Sequence, residues 1–304
     1  MRKYFLLVGL VACGGSDPSA PTAGTSEPIA TESAALQAPL QGPLLPPPSG
    51  LLLWLRSDTG VTLAADGTVA NWHDLTGLGN RDAAPIFGLP GPLYVPDAHH
   101  GLPALRGDGT PRSLFVNAGH GYPIGDASTV FLVMSAATDG GGTAGYTFDA
   151  ESSQGRQYSV VQVQDGSVEW ANATNASALA GNGSLALPDG GTGDLFKFTC
   201  GLPSRGLHIF TETQSDGISA HGYYDGREVA SFVPTGPSVY LMSLMGGPGN
   251  AFTTGNNDPK GIILSTGSFN TNGDLVEVLQ YDKEKSWLEV EAISAYLALR
   301  YGVR

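Results

Sequence analysis

Apolar side chains come in short runs along this chain, and most of the runs read as strands. LLLWLRSD, Leu51 to Asp58, suits a strand buried on both faces, and so does STVFLVMSA, Ser128 to Ala136, which is rich in β-branched and aromatic residues. QYSVVQVQDGSVEWAN reads as a hairpin turning at Asp165-Gly166, because a type I′ turn needs positive φ at both central residues. A two-residue loop would set Val163 opposite Val168 and Val161 opposite Trp170, with Gln162, Gln164, Ser167 and Glu169 on the other face. In HIFTETQSDGISAHGYYDGREVASF, Asp216-Gly217 and Asp225-Gly226 divide three further strands. Seven Asp-Gly pairs between Asp66 and Gly226 fit a meandering antiparallel sheet better than α/β units. One segment has helical spacing: Val290, Ile293, Leu297 and Tyr301 follow Ser286, an N-cap with Glu289 three residues on, and Gly302 supplies a stop.

The first fifty residues are different in kind. Arg2 and Lys3 precede a short apolar stretch, Tyr4 to Val11, too short to span a bilayer, which ends in Leu10-Val11-Ala12-Cys13. This order resembles a bacterial lipoprotein signal. It implies a signal peptide over 1–12 and a diacylglycerol on Cys13, which would anchor the chain to a membrane. An ordinary secretory signal with a chance cysteine is the alternative. Gly14 follows the cysteine, which implies the outer membrane if the cell is Gram-negative. Residues 13–49 are Pro, Ala, Ser and Thr with few large apolar side chains, and read as a disordered stalk on the order of 35 Å in span. The folded domain is expected over 50–304.

Composition narrows the function classes. Of 304 residues 14% are charged, against about 25% in ordinary globular proteins, while 43 Gly and 21 Pro imply many turns and few helices. The formal net charge is −13, or −13 − 2 = −15 once Arg2 and Lys3 are removed, and no basic run exists to meet phosphates. Nucleic acid is therefore no partner, and an anionic membrane surface would repel the chain except at its lipid. Two cysteines, Cys13 and Cys200, make no disulfide framework, and Cys200 reads as a small buried hydrophobe.

Motifs at both ends carry a resemblance. WLRSDTGV, VANWHDLTGLGN and PALRGDG, with the tail DLVEVLQYDKEKSWLEVEAISAYLALRYG, resemble bacterial laminin-G-like jelly-roll domains of the concanavalin A-like superfamily. The resemblance covers the two ends of the domain, and the middle matches only in its turn-rich strand pattern and in YYDGREVAS. It implies an all-β fold: a two-sheet antiparallel jelly-roll sandwich with a short C-terminal α-helix. On this reading Trp72 plugs the core, Asp74 and Thr76 cap the loop that follows, and Gly77 and Gly79 take conformations closed to other residues. A functional alternative makes Asp74 and Asn80 oxygen ligands of Ca²⁺.

Chemistry is sparse. Glycoside hydrolases share this fold and need two carboxylates about 5 to 5.5 Å apart for retention. Their Glu-x-Asp-x-x-Glu strand motif is absent, and Glu151, Glu169, Glu212, Glu228 and Glu277 each stand alone in the sequence, so only a pair meeting across strands would serve. Six scattered histidines include one cluster, DAHHG at Asp97 to Gly101, which reads as a solvated loop. The oxygen-rich stretch with Asn256, Asn257 and Asp258 is a second candidate Ca²⁺ loop or a plain connection. Sugar binding would use open aromatic rings beside Gly-rich turns, and Tyr122, Tyr146, Tyr223 and Phe252 are the candidates. The sequence thus points to a non-catalytic cell-surface module that binds a carbohydrate or a protein. A structural or adhesive envelope component is the alternative, and a glycoside hydrolase the third reading.

Overall fold

The computed structural model describes residues 46–79, 81–85, 89–110, 112, 114–116, 127–136, 145–151, 157–162, 168–173, 196–200, 206–215, 219–232, 241–244, 252–253, 262–263 and 272–303. Cys13, Asn80, Tyr122, Asn256, Asn257 and Asp258 lie outside these residues, as does nearly all of the stalk.

The elements begin with β1 (Leu51–Arg56), β2 (Val61–Leu63), β3 (Val69–Trp72), β4 (Ala83–Ala84), β5 (Leu93–His99), β6 (Leu102–Asp108) and β7 (Leu114–Val116). They continue with β8 (Ala127–Ala136), β9 (Gly145–Glu151), β10 (Gln157–Gln162), β11 (Val168–Ala173), β12 (Phe196–Cys200), β13 (His208–Ser215), β14 (Ser219–Tyr224) and β15 (Arg227–Phe232). The last are β16 (Leu241–Leu244), β17 (Phe252–Thr253), β18 (Ile262–Ile263), β19 (Asn272–Tyr281) and the helix α1 (Trp287–Tyr301).

Two large sheets result, antiparallel throughout. The first has the order β15-β14-β13-β8-β19-β6-β5, and β1 pairs β19 beyond the point where β6 leaves it. The second has the order β12-β11-β10-β9-β16-β7-β4-β3-β2. The fold is the expected all-β sandwich with one C-terminal helix. Its core lies where Leu53, Leu55, Leu105, Leu132, Phe210 and Val278 of the first sheet meet Val69, Trp72, Ala83, Leu114 and Val116 of the second.

β8 shows why its sequence is an unbroken apolar run. Val130, Leu132 and Met134 enter the core between the sheets, while Phe131 and Val133 are buried on the opposite face. That second face is roofed by α1, so both faces need apolar side chains. The helix starts at the expected capping box: the Glu289 N–H donates to the Ser286 hydroxyl and the Ser286 N–H donates to the Glu289 carboxylate. Gly302, at φ 68°, ends it in the left-handed conformation. Val290, Ile293, Leu297 and Tyr301 are buried as their spacing requires, with Ser294 and Tyr296.

Trp72 is fully buried, and its indole N–H donates to the Arg56 carbonyl at 2.7 Å. The ring is a core plug whose polar edge is satisfied by β1. Directly after it the Asp74 carboxylate accepts from the backbone N–H of Trp54 at 2.9 Å and of Thr76 at 3.2 Å, and from the Thr76 hydroxyl. Gly77 and Gly79, both at φ 74°, then turn the loop in the region other residues avoid. The polar loop follows the ring because its aspartate ties the loop back onto the strand the ring packs against.

One expected register is corrected. β10 and β11 pair with Val160 opposite Trp170 and Gln162 opposite Val168, not Val161 opposite Trp170. Residues 163–167 connect them, where a two-residue turn was expected. The same strands also pair on their outer sides, β10 with β9 and β11 with β12, so the register belongs to a longer set of strand pairs and not to the turn residues alone. The hairpin at Asp225-Gly226 forms as its sequence predicts: Tyr224 pairs Arg227, and the two turn residues have φ 49° and 80°.

Candidate functional site

The first sheet changes character along its strands. Its inner face is apolar at Leu132, Phe210 and Val278. Nearer the connection between β13 and β14 it becomes Glu212, Gln280, Gln214 and Ser128, all buried. Across from Glu212 and Gln214 the register sets Gly222 and Ala220, so the bulk of this end comes from polar side chains.

The outer face of the same end carries an open set. The His221 imidazole meets Glu228 through Nδ1 at 2.9 Å and Glu284 through Nε2 at 3.8 Å. The Ser219 hydroxyl donates to Glu284 at 2.7 Å. Glu228 is exposed, and His221, Ser219 and Glu284 are half-buried. An imidazole with a carboxylate near each of its two ring nitrogens offers acceptor oxygens on both sides to hydroxyl or amide groups. It is not an activated nucleophile, since Ser219 bonds a carboxylate and not the imidazole. Burial raises the Tyr223 phenol above its ordinary range, and the charges of Glu228 and Glu284 push it the same way.

A second cluster is closed. Glu277, fully buried on the outer face of β19, accepts from the Trp54 indole N–H at 2.7 Å, from the Tyr296 hydroxyl at 3.2 Å and from the Tyr301 hydroxyl. The Arg300 guanidinium lies at 3.6 Å and also donates to Asp58 at 2.9 Å. Burial pushes the Glu277 carboxyl upward, while the bonds from Tyr301 and Trp54 and the charges of Arg300 and Arg56 pull it back. Glu277 stands alone in the sequence, yet the two end motifs meet on it. Trp54 comes from the opening motif and Tyr296, Arg300 and Tyr301 from the closing one. That convergence was the signal in the sequence, and it reports architecture.

A third carboxylate, Asp274, takes both nitrogens of the Arg106 fork at 2.6 and 2.8 Å and His99 Nε2 at 2.9 Å. Burial alone would raise its carboxyl, but the bonds from Arg106 and His99 outweigh it and hold the group below its usual value. This corrects the reading of DAHHG as a loop. β5 runs through His99, and only His100 and Gly101 form the turn, at φ 51° and 86°. At the β14–β15 hairpin, His208 Nδ1 meets Asp225 at 2.8 Å and the Tyr224 hydroxyl at 2.7 Å.

The sequence candidates are not brought together. Tyr223 is 4% exposed, so its ring face is packed and not open, a correction to its place among the sugar-facing aromatics. The alternation of residues along β14 set one of the adjacent tyrosines inward, and here both pack, Tyr223 under the outer face and Tyr224 against the core. Tyr146 lies in β9 and Phe252 in β17, with side chains outside the described residues. Asp74 meets N–H and O–H donors at both oxygens, so a cation there would have to displace the loop's own bonds. Among the described residues no three His, Cys, Asp or Glu side chains gather as a metal cradle. Among them, too, no helix is long and apolar enough to cross a membrane. Sequence reasoning passed over His221 and Glu284. His221 lies inside β14 and Glu284 in the link between β19 and α1, and nothing local marks them as neighbours.

No protein-family model matches the chain, and no curated protein matches it. Solved structures resemble it in fold. The botulinum neurotoxin serotype D binding domain is 12% identical with a TM-score of 0.52, over 83% of this chain and 53% of that one. A mutant of HCR D/C is 9% identical with a TM-score of 0.50, over 82% of this chain and 52% of that one. The binding domain of Paraclostridial Mosquitocidal Protein 1 is 13% identical with a TM-score of 0.48, over 81% and 52%. The chain thus spans about half the length of these structures.

Proposed function

We propose that the chain is a non-catalytic recognition module, held at the cell surface by a lipid on Cys13, that binds a glycan or a surface protein through the His221 end of its first sheet. The observation that carries this reading is the solvent-facing set of His221, Glu228, Glu284 and Ser219 on a sheet where Glu277 and Asp274 are tied into scaffold. Neighbouring hydroxyls of a sugar ask for paired acceptors beside a donor, which this set offers. The shared fold with the serotype D binding domain supports a sandwich as a platform for such a surface; one fold hosts many functions, so the residues carry the weight.

A glycan array probed with the full chain tests the proposal. Saturable binding lost in His221→Ala and in Glu228→Gln, with an unchanged melting midpoint, is the expected result. Binding to nothing on the array, with capture of a surface protein that the same substitutions abolish, selects the protein-binding arm. Reducing ends released by the wild type and not by Glu228→Gln would make it a hydrolase instead. The tether is tested separately: the chain should partition into detergent and Cys13→Ser into water.

A further inference from the structure

Five large apolar side chains are exposed among the described residues, and three of them, Trp287, Leu288 and Leu299, sit on α1. Leu288 is 59% and Leu299 60% exposed. Ala292 and Ala295, both exposed, lie between them. Steps of four, three and four residues put Leu288, Ala292, Ala295 and Leu299 on one stripe of a helix. That stripe points away from the sheet, because Val290, Ile293, Leu297 and Tyr301 occupy the buried side.

The order of residues along the stripe reads the same in both directions. Leu288 and Leu299 are equidistant from its midpoint, and so are Ala292 and Ala295. A two-fold axis through that midpoint sets a second helix antiparallel to the first. Each Leu288 then meets Leu299 of the other copy, and each Ala292 meets Ala295. This is the self-complementarity an isologous contact requires. The small central residues let the backbones approach, and the leucines close the ends. The stripe carries no charge, and the opposed helix dipoles attract. Glu291 at its rim falls level with position 296 of the other copy, so the two Glu291 side chains do not face one another.

We infer that the outward face of α1 is a self-association surface, on which a second copy of this chain docks its own α1 antiparallel. A single helix pair buries less than the roughly 800 Å² per partner of a standard interface. The dimer is therefore weak and concentration-dependent, and it would be favoured where chains are crowded side by side.

Sedimentation velocity of the full chain in mild detergent, over a wide concentration series, tests this. The wild type should pass from monomer to dimer. Leu299→Glu should weaken association about tenfold or more, the equivalent of about 1.4 kcal/mol. Any association through the N-terminus is common to all variants and remains as the control. Combining Leu288→Glu with Leu299→Lys should restore the dimer, because the antiparallel pairing brings each introduced carboxylate to an introduced ammonium. All positions are exposed, and unchanged melting midpoints will show that the variants fold. A wild type monomeric at every concentration overturns the inference. A dimer indifferent to Leu299→Glu overturns it as well, and a charge-swapped pair that folds but stays monomeric overturns the antiparallel arrangement.

Discussion

Glu277 and Glu228 each meet the ring nitrogen of a heterocycle, an indole at 2.7 Å in one case and an imidazole at 2.9 Å in the other. Both belong to the outer side of the first sheet. Around Glu277 every neighbour is a donor, and α1 closes over the group. Around His221 the neighbours are acceptors, and water reaches them. The difference is the one between a bond that completes the interior and a surface that still has capacity to bond something else. A carboxylate's chemistry is common to both; its enclosure decides what it does.

Substitutions sharpen that contrast. Glu277→Ala strands the Trp54 N–H, two tyrosine hydroxyls and Arg300 in the interior, and should cost about 3 to 5 kcal/mol in urea unfolding. A loss under 1 kcal/mol would mean that the cluster adds little to the fold. Gly226→Ala is expected to cost about 1 to 2 kcal/mol, since a Cβ there meets Ser294 of α1 at 3.1 Å and the backbone stands at φ 80°. Ser286→Ala removes the helix cap and should cost about 1 kcal/mol. His221→Ala, by contrast, should change stability by no more than about 0.5 kcal/mol while abolishing ligand binding. A large loss of stability in that variant would erase the distinction between the two clusters.

Acid separates the closed cluster from the helix cap. The Ser286 backbone bond holds the Glu289 carboxyl down to about 2, from an unfolded value near 4.5. Its contribution is complete above the unfolded value and should be lost as pH falls from about 4.5 toward 2. Glu277 runs the other way. Its carboxyl is raised in the fold, so protonation relieves a cost and favours the folded state as pH drops. Melting midpoints between about pH 4.5 and 2 should fall less steeply in Glu289→Gln than in wild type, whereas Glu277→Gln should lose the gain that wild type shows as pH falls toward 4.5 from above.

The parts of this molecule legible in the sequence are those set by local rules. The Ser286 and Glu289 capping box, the Asp225-Gly226 turn, the buried indole of Trp72 and the two-sided burial of β8 each follow from a few neighbouring residues. The β10–β11 register does not, because each of these strands also pairs a neighbour on its other side, β9 and β12, which the local turn signal does not include. The His221 set was illegible for the same reason. Glu284 sits in the link between β19 and α1, far along the chain from Ser219 and His221, and β13 and β8 lie between β19 and β14 in the sheet, so no pairing of adjacent strands announces the contact. Tyr223 failed as an open ring because a flanking turn says where the chain bends, not what roofs the strand beside it.

The cluster on Glu277 also governs when the protein can become itself. Its bonds join residue 54 to residues 277, 296 and 301, so the closing contacts await the last helical turn. A growing chain lacks them until residues 296 and 301 have been made, and long-range pairing of this kind is slow to form. Closure is therefore a late event, and a chain cut short of residue 296 would leave the Glu277 carboxylate without either tyrosine hydroxyl.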